Sequence, residues 1–361
     1  MTPTITVLYH AGCPDGFGAA YAAWRKFGES ATYRPVFYGK PPSLDSLAGK
    51  EVYILDFSFP PEELKAMAAV AKSILQLDHH ISARNAWVNE LGTVEEGRQS
   101  WTHPELPLTV TFDMNKSGAR LAWEHFHPDA PMPWPLKHVE DRDLWRFALP
   151  ATKAFTRALQ LLPFEFNAWD LVMQQAGTPE SKRYKAMLAE GEACERFYQN
   201  EVERLANSSL VMPVQLPGSA IGREHAVRQD IPFIEDGQGT WRVVSGLAIN
   251  ANGLFTSELG ERLAEKCGSF ALIWNLAADG MVRASLRARG QVDVAKMAEH
   301  YGGGGHREAA GFDMPVLRFM TEILGQQLPE IPVLVAETPP PPSPKTRRKK
   351  NPTPPNGENT G

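Results

Sequence analysis

The sequence predicts an α/β protein with a parallel sheet in its N-terminal domain, a helical connector, and a smaller α/β C-terminal domain. Three observations carry this prediction. Short apolar runs alternate with helical patterns over residues 1–150, the rhythm of βαβ units. Residues 151–210 read as mostly helical, a connecting helix or pair exemplified by "ESKRYKAMLAEGEACERFYQNEVERLA". From Val211 to about residue 330 the pattern changes to short strands with turn signals.

Each element has a local reason. "TITVLY" (4–9), "EVYILDF" (51–57) and "SILQLD" (73–78) are brief apolar or β-branched runs, as buried parallel strands should be. Between the first two, "GFGAAYAAWRKFG" is alanine-rich, carries Tyr21, Trp24 and Phe27 at helical spacing, and ends on Gly28. Pro60 and Pro61, followed by Glu62 and Glu63, open a helix with acid in its first turn. Downstream, "MPVQLP", "WRVVSGLAIN" and "FALIWNLAADGMVRASLRA" read as strands, with Asp279-Gly280 marking a hairpin. "QVDVAKMAEHYGGGGHREAAGFDMP" then supplies a helix, a glycine cluster and a final element.

The 361 residues suit two domains rather than one small core. Cys13, Cys194 and Cys267 are too few and too scattered for a disulfide framework. No apolar run is long enough to span a bilayer, and no basic segment leads an apolar one at the N-terminus. The expectation is a cytoplasmic protein that does not engage a membrane. The segment 338–361 is Pro-rich and has no apolar side chains to bury, so disorder is expected there. It carries net +4 on a chain of net −5, so the body carries −9. An acidic body argues against general nucleic-acid binding and suits a protein that holds cations.

Polar residues collect where the predicted strands end. His10, Cys13 and Asp15 follow the first strand, Asp56 ends the second, and Asp78, His79 and His80 end the third. Ligands of open α/β sheets bind beyond the carboxyl ends of the strands. Three consecutive strands therefore send histidines and carboxylates, the residue types of metal sites, to one edge. Asp141 and Asp143 in "HVEDRDLW" (138–145) form a further acidic pair.

These motifs, in this order, resemble the DHH phosphoesterase family. The signature is "DHH" itself at 78–80, preceded by an apolar strand. "HAGCPDG", "ILDFS" and "VEDRDLW" resemble the first, second and fourth motifs, and "FDMNKSGARLAW" (112–123) a segment between the third and fourth. "SLRARG" and "GGGGHREAAGF" resemble the associated C-terminal substrate domain, and the likeness spans about residues 4–316. The resemblance implies one metal on His10, residue 13 and Asp56, and a second on Asp15, Asp56, His79 and Asp141, with Asp143 the alternative to Asp141. His80 would lie beside the bridging water or the substrate phosphate, and Asp78 would orient a histidine. Manganese is the implied metal, with cobalt or zinc also accommodated.

Cys13 departs from the family, which usually has aspartate there. Two divalent ions carry +4 and Asp15, Asp56 and Asp141 supply −3, so a metal-bound thiolate restores balance while softening one site. That predicts poor use of magnesium, which favours hard oxygen ligands. A buried, non-ligating cysteine is the competing reading.

"GGGGH" (302–306) offers backbone N–H groups unobstructed by side chains. The resemblance implies that Gly303, Gly304, Gly305 and His306, with Arg287, grip a phosphate or sugar of a short nucleotide. Ser285 and Asn250 are weaker candidates, and His103, His125, His127, His225 and His300 read as surface or structural.

The expected protein is a phosphohydrolase of the oligoribonuclease type, cutting short oligonucleotides or small nucleotides such as a 3′-phosphorylated adenosine nucleotide by means of two metals. Three alternatives stand beside it: a regulatory nucleotide-binding protein with a degenerate metal site, a single-strand exonuclease, and a pyrophosphatase. A homodimer stays open.

Overall fold

A computed structural model describes residues 4–93 and 97–325. The tail expected at 338–361 and the end of the span 211–330 lie outside the described residues.

The N-terminal sheet contains β1 (Ile5–His10), β2 (Ala31–Val36), β3 (Glu51–Leu55), β4 (Ser73–Asp78), β5 (Arg98–Thr102) and β6 (Leu108–Asp113). Their order is β2-β1-β3-β4-β6-β5. All neighbours are parallel except β5 and β6. Alternate residues face opposite layers, as the pleat requires. Val7, Leu55 and Leu77 join Phe17, Tyr21 and Ala122 on one face, while Leu8, Ile54 and Ile74 join Leu64 and Met67 on the other. The parallel strands and two-sided cover are those the sequence predicts. β2, β5 and β6 escape the strand pattern because Arg34, Pro35, Thr109 and Thr111 interrupt their apolar character.

Between residues 152 and 206 lie three helices, Thr152–Leu159, Phe166–Gln175 and Lys182–Ala206, rather than one helix or a pair. Pro163 and the Gly177-Thr178-Pro179 turn divide them. Their first part packs into the N-terminal core through Phe155, Trp169 and Tyr184. Tyr198, Val202 and Ala206 of the long helix pack against the second sheet.

That second sheet contains β7 (Met212–Ala220), β8 (Phe233–Asp236), β9 (Gly239–Asn250), β10 (Phe270–Leu276), β11 (Met281–Ala288), β12 (Gly304–His306) and β13 (Ala309–Pro315). The order is β12-β13-β11-β10-β9-β7, with β8 against β9. β9 and β10 are parallel and joined through the helix Thr256–Cys267; the other pairs are antiparallel. Asp279-Gly280 turns the β10–β11 hairpin, with Gly280 at φ 78° and the Met281 N–H bonded to Asp279 Oδ1.

A buried histidine ties the helices Trp134–Asp143, Thr152–Leu159 and Lys182–Ala206 together. His138 is fully buried between Phe155 and Tyr184, with Nδ1 2.8 Å from Thr152 Oγ1 and Nε2 2.9 Å from Tyr184 Oη. Burial brings its pKa down to about 4. The unfolded chain therefore takes up a proton between pH 6.5 and 4 that the fold refuses. The stability advantage of wild type over His138→Phe should shrink by up to about 3 kcal/mol as pH falls through that window. Urea denaturation of both proteins at pH 7.5, 6, 5 and 4 measures it.

Candidate metal centre

The centre is assembled where β1, β3 and β4 end. After His10 the chain turns at Gly12 (φ 68°) and enters the helix Pro14–Phe27, whose N-cap is Cys13. A Cβ on Gly16 would lie 2.3 Å from the His10 carbonyl oxygen. Only glycine lets this first helical turn lie so close to β1, which gathers His10, Cys13 and Asp15 into one corner.

Asp56, one residue past β3, has φ 54°, a left-handed conformation that aspartate tolerates better than most residues. Its N–H donates to the Leu77 carbonyl at 2.9 Å. Opposite it, a Cβ on Gly118 would come 2.3 Å from the Asp56 Cβ. Gly118 also opens the helix Gly118–Phe126, and the N–H groups of Gly118 and Ala119 donate to the Asp15 carboxylate at 2.6 and 3.1 Å. A helix N-terminus thus holds one carboxylate while its glycine leaves room for another.

His79 is the hub. Its Nε2 lies 3.1 Å from Asp56 Oδ1, 3.4 Å from Asp143 Oδ2 and 3.8 Å from Asp15 Oδ2. On the other side of Asp56, His10 Nδ1 stands 3.5 Å from Oδ2. Two groups, His10/Cys13/Asp56 and Asp15/His79/Asp143, each offer three ligand atoms within 4.8 Å of one another, and Asp56, Asp78, His79 and His80 offer four. Asp78, fully buried, accepts from Ser58 Oγ, the His79 N–H and His80 Nδ1 at 2.6–2.7 Å, so its oxygens are engaged by the protein.

Asp141, expected as the ligand ahead of Asp143, is not among the residues these groups bring together. It accepts from the N–H groups of Ala148 and Leu149 and from Thr152 Oγ1. It anchors the turn after its own helix, and through Thr152 it connects to His138. Asp143, two residues on, reaches His79. A two-residue step along a helix turns the side chain by roughly 200°, so only one of the pair can face the site.

The electrostatics describe an anionic pocket short of positive charge. Burial, then Asp143 and Asp56, push the Asp15 carboxyl well up. Burial also raises Asp143. Burial opposes the Asp56 carboxylate as well, but the His10 and His79 imidazoles outweigh it and hold Asp56 below the usual range. Burial disfavours charge on His79, yet Asp56, Asp143 and Asp15 raise it well above an ordinary histidine. The Cys13 thiol is pushed up by burial and the same three carboxylates. His10 Nδ1 is buried without a hydrogen-bond partner. An orphaned imidazole nitrogen beside crowded carboxylates and a thiol is a donor set that fits divalent cations.

The second lobe closes over this edge. His306 stacks on His80 with ring centroids 5.5 Å apart and stands 6.3 Å from His79. Burial, then the charges of His80 and His79, bring its pKa down to about 4. The glycine cluster is not an open loop: Gly304–His306 form β12, paired with β13. A Cβ on Gly303 would meet the Gly311 carbonyl at 2.1 Å, and one on Gly305 the Ala309 carbonyl at 2.6 Å. These glycines permit close strand packing, which leaves His306 over the centre.

Arg287 donates to the Leu286 carbonyl and to Ser257 Oγ, and has no carboxylate at ion-pair distance among the described residues. It shares a cleft of about 380 Å³ with Cys13, Asp15 and Asp143. Asn250 bonds the Trp274 carbonyl, and neither it nor Ser285 lines that cleft. Of the other histidines, His103 receives the N–H groups of Glu105 and Leu106, His127 bonds the Ala22 carbonyl and His300 lies 3.0 Å from Asp236.

Sequence reasoning missed a latch between the lobes. Glu258, buried in the second lobe, accepts from Arg142 (3.0 Å), Arg157 (2.6 Å) and the Tyr198 hydroxyl (2.8 Å). Its partners are far apart in sequence, and no local signal marks them.

The site thus lies at one edge of a parallel sheet and is faced by a separate β lobe. Residues 243–330 match the DHHA1 domain model. This match agrees with the resemblance that the Asp78-His79-His80 run and its companion motifs carry. Among known proteins, the chain is 26% identical over 323 residues to "Uncharacterized protein R106" of Acanthamoeba polyphaga mimivirus. That alignment takes in 84% of this chain and 66% of the viral protein, so the chain spans just under two thirds of that relative. Solved structures that resemble it include Thermus thermophilus RecJ in complex with Mn2+ (TM-score 0.41, 14% identity, 88% of this chain, 50% of RecJ). Another is the pGpG-specific phosphodiesterase PggH from Vibrio cholerae (TM-score 0.39, 12% identity, 88% and 95% coverage).

The two acidic neighbours should separate on mutation. If the centre holds divalent metal, Asp143→Asn is expected to lower its metal content by elemental analysis, with little change in melting temperature. Asp141→Asn should keep its metal content but lose about 1–3 kcal/mol of stability, the cost of upsetting buried hydrogen bonds.

Proposed function

We propose that the protein is a metal-dependent phosphohydrolase acting on short oligonucleotides or small nucleotide phosphates. The observation that carries this reading is the approach of His79 Nε2 to three carboxylates within 3.8 Å, two of which, Asp15 and Asp143, line a cleft together with Arg287. His10, Cys13 and Asp56 would hold one divalent cation, and Asp15, Asp56, His79 and Asp143 the other. Bound there, two cations would supply Lewis-acid polarisation of a phosphoryl oxygen and a water-derived nucleophile near neutral pH.

The chain's own residues do the rest. Asp78 fixes the His80 ring through Nδ1, leaving Nε2 to face the substrate phosphate. His306, neutral at physiological pH, covers His80 and narrows access for bulk water. Arg287 offers a planar fork to a second phosphate. The other arginines lining the cleft are paired, Arg142 with Glu258 and Arg289 with Glu261 and Glu265. One unpaired arginine suits a substrate with few phosphates, which favours a short oligonucleotide over a long strand. Manganese suits the donor set of carboxylate and imidazole, with cobalt or zinc tolerated through the thiolate.

Cys13 favours one second reading, a nucleotide-binding protein with a weakened first metal site. Incubation with manganese and a panel of di- to pentanucleotides and pAp, analysed by chromatography, decides between them. Release of mononucleotides or phosphate, fastest for the shortest substrates, is expected; full metal occupancy with every substrate intact would leave the binding reading.

Thiolate ligation has its own signature. The cobalt-substituted protein should show a sulfur-to-cobalt charge-transfer band in the near ultraviolet that Cys13→Asp lacks, and Cys13→Asp should gain activity with magnesium relative to manganese. An unchanged spectrum and metal preference would remove Cys13 from the ligand set.

A further inference from the structure

We propose that Trp145 is a stacking platform for a nucleobase, and that it makes the cleft selective for base-bearing substrates over bare phosphate esters and pyrophosphate. This deepens the phosphohydrolase reading and rests on it for the identity of the cleft.

Trp145 lies two residues beyond Asp143 and lines the same cleft as Asp15, Asp143 and Arg287. It remains 37% exposed, so part of the indole is open to the cleft. The backbone presents it at a cost. Trp145 and Phe147 have φ 53° and 47°, left-handed conformations that bulky residues rarely adopt. Strain of this kind persists where surrounding structure enforces it, and it concentrates at functional sites. Here the turn is enforced by the Asp141 carbonyl, which accepts the N–H groups of Arg146 and Phe147. The Asp141 carboxylate adds the N–H groups of Ala148 and Leu149.

The indole is braced on two sides. The Phe147 ring meets it edge-on, with centroids 4.8 Å apart at 73°. Its Nε1 donates across the lobe boundary to Glu261 Oε1 at 3.5 Å, and Glu261 is in turn paired with Arg289. A fixed, partly open aromatic face is the surface on which proteins stack bases. The rest of the lining agrees. Val139, Leu159 and Ala288 give the cleft apolar walls, and among the described residues Arg287 is the lining cation without an ion pair. A site for pyrophosphate or another compact polyanion needs several cations and no apolar wall. A site for a nucleotide needs one aromatic face, some apolar surface and few cations.

The test is a pair of binding titrations with the full chain, run with calcium in place of manganese to suppress turnover. The probes are a 5′-phosphorylated diadenylate and its abasic analogue, which has the same sugars and phosphates without bases. Wild type should bind the diadenylate about 10- to 100-fold more tightly than the abasic analogue, the range set by stacking of a base on an aromatic side chain. Trp145→Ala should lose most of that preference and Trp145→Phe should retain it within about threefold. An Ala variant with wild-type preference overturns the proposal, as does a wild type that binds both probes equally. Turnover with manganese is measured separately. Base-dependent binding without hydrolysis would defeat the phosphohydrolase reading and leave the platform standing.

Discussion

The arrangement depends on one electrostatic constraint, the crowding of Asp15, Asp56 and Asp143 around His79, with Asp15 and Asp56 buried and Asp143 open to the cleft. Buried carboxylates are expensive unless something positive or hydrogen-bonding answers them. The fold answers them unequally. Asp15 receives two backbone N–H groups from a helix N-terminus, and Asp56 faces two imidazoles. Asp143 has only His79 within ion-pair distance among the described residues. The shortfall has the sign that divalent cations would make good.

Glycines set how closely that cage can be drawn. Gly16 lets the first helix lie against β1, and Gly118 lets a second helix end abut Asp56. Gly303 and Gly305 bring β12 against β13 so that His306 reaches His80. Adding a methyl group at any of these four positions would press on backbone or on a ligand carboxylate. The "SGAR" and "GGGGH" segments thus act through absence of side chains, by proximity more than by direct contact with a ligand.

Much of this was legible in the sequence, because strand ends announce themselves. An apolar run that stops on His10, Asp56 or Asp78 states both the element and the edge of the sheet, and parallel topology then brings those residues together. Asp141 and Asp143 could not be separated in the same way, since they sit at a helix end where the last turn decides which carboxylate faces inward. The Glu258 latch was invisible for another reason: Arg142, Arg157, Tyr198 and Glu258 belong to four helices, and only tertiary packing makes them neighbours. β2, β5 and β6 were missed because two lie at sheet edges and the third alternates threonine with apolar residues.

The latch and the metal centre meet in the segment 141–145. Asp141 holds the turn, Arg142 joins the second lobe through Glu258, Asp143 reaches His79 and Trp145 borders the cleft. Five consecutive positions therefore couple a folding contact, a lobe contact, a metal-site carboxylate and the cleft wall. Displacement of the second lobe would pull on Arg142 and so on the carboxylate beside it, while occupation of the cleft against Trp145 would press on the same turn. The lobe contact, the cleft wall and the carboxylate beside His79 therefore share one short, hydrogen-bonded turn.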